Sequence, residues 1–284
     1  MRCRKILIGF DSNESPGVEI DFVSRYLARG RGLVVGSLIR KFNTLPAICK
    51  CVGCGSKKDC GTKRAARQLD ELAGQLQTAG QLAGFRSLVR REQDGTLNDL
   101  IRESRFADLL VVSQHTWRKI IAGLGKSAIC PEDAVECPVL IVPDPQKGID
   151  QVILTYNGTP EAMRGIKQFV YMLPELAANL PVTILTTYDS AHTPSGTDEK
   201  LFIEYMKEHF NEVALHKMDS HSEHTLISAV GLNQNSLVII NSDSPESFTL
   251  LNSLLKPDGD TLIPVELYTG RAPLPTGVTP HHLN

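Results

Sequence analysis

Short apolar runs recur along the chain, separated by longer amphipathic stretches. The first is Lys5-Ile6-Leu7-Ile8-Gly9-Phe10-Asp11, which ends in a carboxylate and passes into the polar segment Ser12-Asn13-Glu14-Ser15-Pro16. A run of this length bounded by turn residues predicts a buried strand. Ser15 and Pro16 predict the cap and first position of a helix over 17–29. Further strands are predicted over 33–38, 85–89, 109–112 and 139–142, and the spacing of apolar positions predicts a helix over 64–82. Strands alternating with helices mean βαβ units, and hence a parallel sheet with helices packed on its faces.

The pattern then repeats. Gln151-Val152-Ile153-Leu154-Thr155-Tyr156-Asn157 is a second apolar run ending in an Asx residue, followed by Gly158-Thr159-Pro160-Glu161. Thr159 and Pro160 predict the start of a helix over 161–178. Strands over 182–187, 213–217, 237–240 and 262–267 and a helix over 199–210 complete the copy. The expected organisation is two copies of five strands each, over 1–145 and 150–268, followed by a Pro- and Gly-rich tail over 269–284. Asp11 matches Asn157 at an offset of 146, whereas Leu109 matches Leu237 at 128. The 18 extra residues of the first copy fall between its second and third strands, in the segment 41–62.

Composition and charge narrow the function classes. Hydrophobic residues make up 42% of the 284, enough for a sizeable core. No apolar run approaches the ~18 residues of a membrane helix. The run at Ile6–Phe10 is too short for a secretion signal, so a cytoplasmic protein without membrane partners is expected. The net charge of −2 hides an asymmetry. Residues 1–143 carry 22 Lys and Arg against 15 Asp and Glu (net +7), and the remainder carries 8 against 17 (net −9). Opposite charge predicts either attraction between the copies or different partners for each. Scattered basic residues without an aromatic cluster argue against nucleic acid.

Lys5–Asp11, Ala107-Asp108-Leu109-Leu110-Val111-Val112-Ser113 and Cys137-Pro138-Val139-Leu140-Ile141-Val142-Pro143 resemble the first, fourth and fifth strands of a universal stress protein domain. The resemblance covers nearly all of 1–143 and, more weakly, 150–268. It implies two tandem, doubly wound, five-stranded parallel sheets of strand order 3-2-1-4-5. These would be Rossmann-like, of the adenine nucleotide α-hydrolase type. Members usually pair through the fifth strand, so the two copies are expected to form an intramolecular pseudo-dimer. A further homodimer and an outside protein partner stay open.

Many members of that family bind ATP or another adenine nucleotide. The acidic residue after strand one contacts the nucleoside, and a loop of spacing G-x2-G-x9-G-[ST] after strand four holds the phosphates. Asp11 keeps the first feature. The three glycine positions, however, read Ser113, Thr116 and Lys126, with Ser127 at the final hydroxyl. The nucleotide-contacting set implied for the first copy is therefore Asp11, Ser113, His115, Lys126 and Ser127. Asp11 has a plainer reading as a loop residue bonding its own backbone, and His115 as an exposed loop residue after strand four. In the second copy Asn157 replaces the aspartate, and the loop Asn241-Ser242-Asp243-Ser244-Pro245 has no glycine. Asp243 there would repel a phosphate and Pro245 lacks a donor N–H, so no nucleotide is expected in that copy. Gly123-Leu124-Gly125-Lys126-Ser127 also matches the end of a phosphate loop, but Ile120 stands where the full motif needs glycine.

Four of the seven cysteines, Cys49, Cys51, Cys54 and Cys60, lie within twelve residues. In a reducing compartment such clusters bind metal or carry redox chemistry more often than structural disulfides. Four thiolates suit tetrahedral Zn²⁺, and Lys50, Lys57 and Lys58 would offset its charge. An iron–sulfur cluster or reversible disulfide chemistry are the alternatives. Cys3 and Cys137, at strand edges, are expected to be buried as small apolar residues; Cys130 precedes Pro131 in a predicted loop. His221 and His224 lack an identifiable third ligand and read as solvated.

No G-x-S-x-G elbow and no Ser/His/Asp arrangement stands out. The predicted function is a non-enzymatic stress-response or regulatory protein that is not a strong ATP binder. A zinc-binding or redox-active cysteine loop would belong to it. The alternative is a nucleotide-binding or nucleotide-hydrolysing protein that uses the first-copy crevice.

Overall fold

A computed structural model describes residues 4–14, 17–27, 32–42, 58–90, 95–124, 135–142, 148–187, 196–218, 235–241 and 265–268. The first apolar run forms β1 (Arg4–Asp11), followed by α1 (Gly17–Phe22), which continues as a π-helical turn over Val23–Leu27. Next come β2 (Gly32–Ile39), α2 (Lys58–Ala83), β3 (Arg86–Val89), α3 (Leu97–Ser104), β4 (Leu109–Ser113), α4 (Gln114–Leu124) and β5 (Val139–Val142). The remaining elements are β6 (Gln151–Tyr156), α5 (Pro160–Met172), α6 (Pro174–Asn179), β7 (Val182–Thr187), α7 (Gly196–His209), β8 (Val213–Met218), β9 (Ser236–Asn241) and β10 (Val265–Tyr268).

The ten strands lie in one sheet of order β3-β2-β1-β4-β5-β10-β9-β6-β7-β8. The first five are parallel in the order 3-2-1-4-5. The other five are parallel among themselves, and β10 meets β5 antiparallel, Leu267 opposite Val139. Both outer strands of the two halves are thus joined, which removes two sheet edges that would otherwise template unwanted pairing. The Arg4 guanidinium reinforces the join by donating to the carbonyls of Tyr171 and Met172 at the end of α5.

The inner strands are buried on both faces, the condition a parallel sheet requires, while the outer strands β3 and β8 are partly or fully exposed. Alternate residues of β1 enter opposite cores. Ile6, Ile8 and Phe10 pack with Ile20 and Phe22 of α1 and Leu72 and Leu76 of α2. Leu7 packs with Leu97 and Leu100 of α3 and Trp117 and Ile120 of α4. Each such side chain, wholly buried, contributes about 1.5–3 kcal/mol. As the middle strand of the first half, β1 is therefore held from above and below, and its C-terminal end is a rigid platform.

Local signals act as expected at several ends. Thr159 caps α5, its hydroxyl accepting from Ala162 N–H at 3.2 Å with Pro160 at the first helical position. Thr96 and Asp99 form a reciprocal capping box on α3. The single helix expected over 161–178 is instead two, α5 and α6, broken at Leu173. Pro174 has no N–H to continue the ladder and constrains the residue before it, so the chain turns there. The last strand is described over Val265–Tyr268, overlapping the expected 262–267, of which 262–264 lie outside the described residues. Cys137 is buried, as expected, and burial pushes its thiol up to about 12. Among the described residues no helix is long and apolar enough to cross a membrane. Ser15, Pro16, Cys3, Cys130, His221 and His224 lie outside the described residues.

Candidate functional site

β1 lies between β2 and β4, parallel to both, Gly9 opposite Val112 on the β4 side. The connections from these strands leave in opposite directions across the sheet, so a crevice opens at the carboxyl ends of β1 and β4. Asp11 is the last residue of β1 and Ser113 the last of β4. Asp11 is 1% exposed. Its Oδ1 accepts from the Asn13 N–H at 3.1 Å and from Asn13 Nδ2 at 3.2 Å, an Asx turn that fixes the carboxylate in place.

Beyond β4 the chain does not form the loop expected there. It enters α4 at once, and Ser113 caps that helix by accepting from Thr116 N–H at 3.1 Å. Trp117 and Ile120 explain the difference: both are fully buried on the inner face of α4, and their spacing holds the segment helical against the sheet. Near the other end of α4, Gly123 lies so close to the Phe42 carbonyl oxygen that a Cβ would collide with it. His115 thus stands in the first turn of a helix, not in a loop. Lys119 follows it by four residues, one turn on along the same face.

Carboxylates gather at this helix start. Glu19 Oε1 accepts the Ser113 N–H at 2.9 Å. Glu14 Oε2 accepts the Ser113 hydroxyl at 3.1 Å and the Thr116 hydroxyl at 3.3 Å. His115 Nε2 lies 3.1 Å from Glu14 Oε1 and 3.9 Å from Asp11 Oδ2, and the Lys119 ammonium contacts Asp11 Oδ2. Glu19 is 2% exposed, and its Oε2 finds no donor among the described residues. Burial therefore pushes its carboxyl up to about 7; hydrogen bonds from backbone N–H groups pull the other way, and the charge of Glu14 adds to the rise.

Of the residues expected from sequence, Asp11, Ser113 and His115 do converge. Lys126 and Ser127 lie outside the described residues, as do Cys49, Cys51 and Cys54; Cys60 falls within α2. Glu14, Glu19, Thr116 and Lys119 complete the cluster and were not singled out from the sequence. Two signals mark them. Glu19 precedes the apolar Phe22 and Val23 by three and four residues, which puts a carboxylate on the buried face of α1. His115 and Lys119 have the spacing of neighbours on one helical face immediately after a strand.

The described residues at this crevice do not fit a triphosphate. Phosphate binding at a helix start needs free N–H groups and no competing anion. Here the Ser113 N–H is given to Glu19 and the Thr116 N–H to Ser113 Oγ, while Asp11 and Glu14 bring negative charge to the same place. The side chains at the glycine positions Ser113 and Thr116 are themselves bonded to Glu14.

The architecture defines an open, doubly wound α/β protein. A universal stress protein from Archaeoglobus fulgidus DSM 4304 shares it, with a TM-score of 0.60 over 93% of this chain and 96% of that one at 15% identity. The cytoplasmic domain of a prokaryotic cation chloride cotransporter superposes with a TM-score of 0.51 over 94% of this chain and 96% of that one at 12% identity. The likeness at these identities is one of fold. No family model matches the chain, and no curated protein matches it in sequence.

Proposed function

We propose that this chain is a regulatory protein of the universal stress protein type that acts without catalysis. In this reading residues 1–145 and 150–268 are tandem copies, 269–284 is a tail, and the β5–β10 pairing makes the copies an internal pseudo-dimer. The likeness of fold and the strand order support it. The opposite net charges of the two halves favour their docking. Its cytoplasmic place rests on the sequence pattern alone.

The observation that carries the reading is the filled anion site. The Glu19 and Glu14 carboxylates take the donors that a nucleotide would need, so ATP is not a strong ligand of the first copy. Calorimetric titration of the full chain with Mg²⁺·ATP tests this. No stoichiometric binding below about 100 μM is expected. One ATP bound per chain with a micromolar Kd, or ATP turnover abolished by substitution of Asp11, would replace this reading with a nucleotide-binding or nucleotide-hydrolysing one.

The segment carrying Cys49, Cys51, Cys54 and Cys60 belongs to the proposal as a zinc-binding or redox-active loop. Its support is the four clustered thiols with their flanking lysines. Elemental analysis with thiol counting before and after denaturation decides it. One zinc per chain with four thiols protected until the metal leaves is expected of a zinc site. Freely reactive thiols without metal would remove both roles.

A further inference from the structure

The crevice of the first half presents a donor set of a different kind from a phosphate cradle. One carboxylate oxygen of Asp11, one of Glu14 and a ring nitrogen of His115 all lie within 4.8 Å of one another. They come from three places: the end of β1, the turn after it, and the first turn of α4. Each carboxylate is held by one oxygen and offers the other. Asp11 Oδ1 is held by Asn13, which leaves Oδ2 facing His115 Nε2 at 3.9 Å. Glu14 Oε2 is held by the Ser113 and Thr116 hydroxyls, which leaves Oε1 facing the same nitrogen at 3.1 Å. Outer hydrogen bonds that fix ligating carboxylates in this manner are the usual support of a metal site.

A second observation points the same way. The Glu19 carboxylate, bound to Ser113 N–H through Oε1, is 2% exposed and leaves Oε2 without a donor among the described residues. Among the described residues the one ammonium paired with these carboxylates is that of Lys119, at Asp11. The way in is open: the side chains of His115, Glu14 and Lys119 are 55%, 28% and 35% exposed.

We propose that Asp11 Oδ2, Glu14 Oε1 and His115 Nε2 form a binding site for a divalent first-row transition-metal ion, and that Lys119 is the resident counter-ion which the metal displaces. Donors about 2.1 Å from one ion stand roughly 3.0–3.4 Å apart, so the observed separations need only a small contraction. One imidazole with two carboxylates suits Mn²⁺, Co²⁺ or Zn²⁺ better than the all-oxygen preference of Ca²⁺ or Mg²⁺. The displaced ammonium has somewhere to go, since Lys119 Nζ already stands 5.8 Å from the face of the Phe42 ring. Bound metal would staple the end of β1 to the start of α4. The site involves no nucleotide and no cysteine, so it stands or falls separately from the function proposed above.

Titration of the full chain with Mn²⁺, read by the loss of the free-ion electron paramagnetic resonance signal, tests the site; thiolates are poor ligands for this ion. One Mn²⁺ per chain is expected, weakened at least ~10-fold in His115→Ala and in Glu14→Gln and tightened several-fold in Lys119→Met. Co²⁺ should give the visible bands of nitrogen and oxygen ligands without the intense near-ultraviolet absorption of thiolate. His115→Ala alters a half-exposed side chain, so it decides the matter even if Glu14→Gln folds poorly. Mn²⁺ affinity unchanged in His115→Ala, or no Mn²⁺ bound at about 1 mM by both the parent and Lys119→Met, would overturn the proposal.

Discussion

The turns after β1 and β6 are built on one plan and differ in one atom type. After β1, Asp11 Oδ1 accepts from the N–H two residues on, at 3.1 Å. After β6, Asn157 Oδ1 accepts from the Thr159 N–H, also two residues on, at 3.2 Å, and from the Thr159 hydroxyl at 2.7 Å. Both side chains shape the turn equally well. The amide does no more than that: it orients Thr159, which caps α5. The carboxylate carries a charge into the crevice, and Lys119 and His115 gather round it. Turn geometry is thus shared by the two halves, while among the described residues the charged cluster belongs to the first.

The largest test asks whether the halves are one folding unit. Trp117 in α4 and Phe169 in α5 are both fully buried, one in each half. Alanine at either should cost about 3–5 kcal/mol. If the continuous sheet unfolds cooperatively, each substitution shifts a single urea transition followed by circular dichroism. If the halves unfold separately, each shifts only its own.

Next in size is the pH dependence of the charged half, where two buried glutamates act in opposite senses. Burial raises Glu103, but hydrogen bonds from Arg90 and Lys5 outweigh it and hold the carboxyl below its ordinary value. A depressed carboxyl contributes stability above its unfolded value of 4.5 that is lost as pH falls through the folded value. Glu19 faces only Ser113 and the like charge of Glu14, and its folded pKa is raised from 4.5 to about 7. The folded state then holds the proton more tightly, so stability falls as pH rises from 4.5 to 7 and levels off above, by ~3 kcal/mol in all. Glu19→Gln keeps an acceptor for the Ser113 N–H and removes the charge. It should raise stability at pH 8 and flatten the profile between pH 5 and 7. An unchanged profile in urea denaturation would show that Glu19 titrates normally.

Gly123→Ala should cost about 1–3 kcal/mol by forcing α4 away from the Phe42 carbonyl. Gly74→Ala in α2, where a Cβ meets nothing within 4 Å, should instead be neutral or stabilising by up to about 1 kcal/mol. Thermal melts of the two variants separate close approach from helix propensity. The smallest effect belongs to the exchange that the two turns invite. Asp11→Asn and Asn157→Asp both preserve an Asx turn and should each change stability by about 1 kcal/mol or less. Only Asp11→Asn should move the imidazole resonances of His115 in nuclear magnetic resonance, because His115 stands 3.9 Å from Asp11 and no histidine contact is seen at Asn157 among the described residues.

The alternation of apolar runs with amphipathic stretches determined the parallel strands and the cap at Thr159, because these depend on neighbours within one turn or one strand. The Asx residues closing β1 and β6 were readable for the same reason. What surrounds Asp11 was not. Glu14, Glu19, Ser113, Thr116, His115 and Lys119 are about a hundred residues apart across the set, and only the pairing of β1 with β4 brings them together. The direct entry of β4 into α4 was likewise a tertiary decision. Burial of Trp117 and Ile120 against the sheet settles as helix a segment, 117–122, that reads from the sequence as helical or irregular. Local sequence sets which conformations are cheap; the charge and solvent exposure of a side chain depend on what the rest of the chain folds against it, and that is where the character of this crevice was decided.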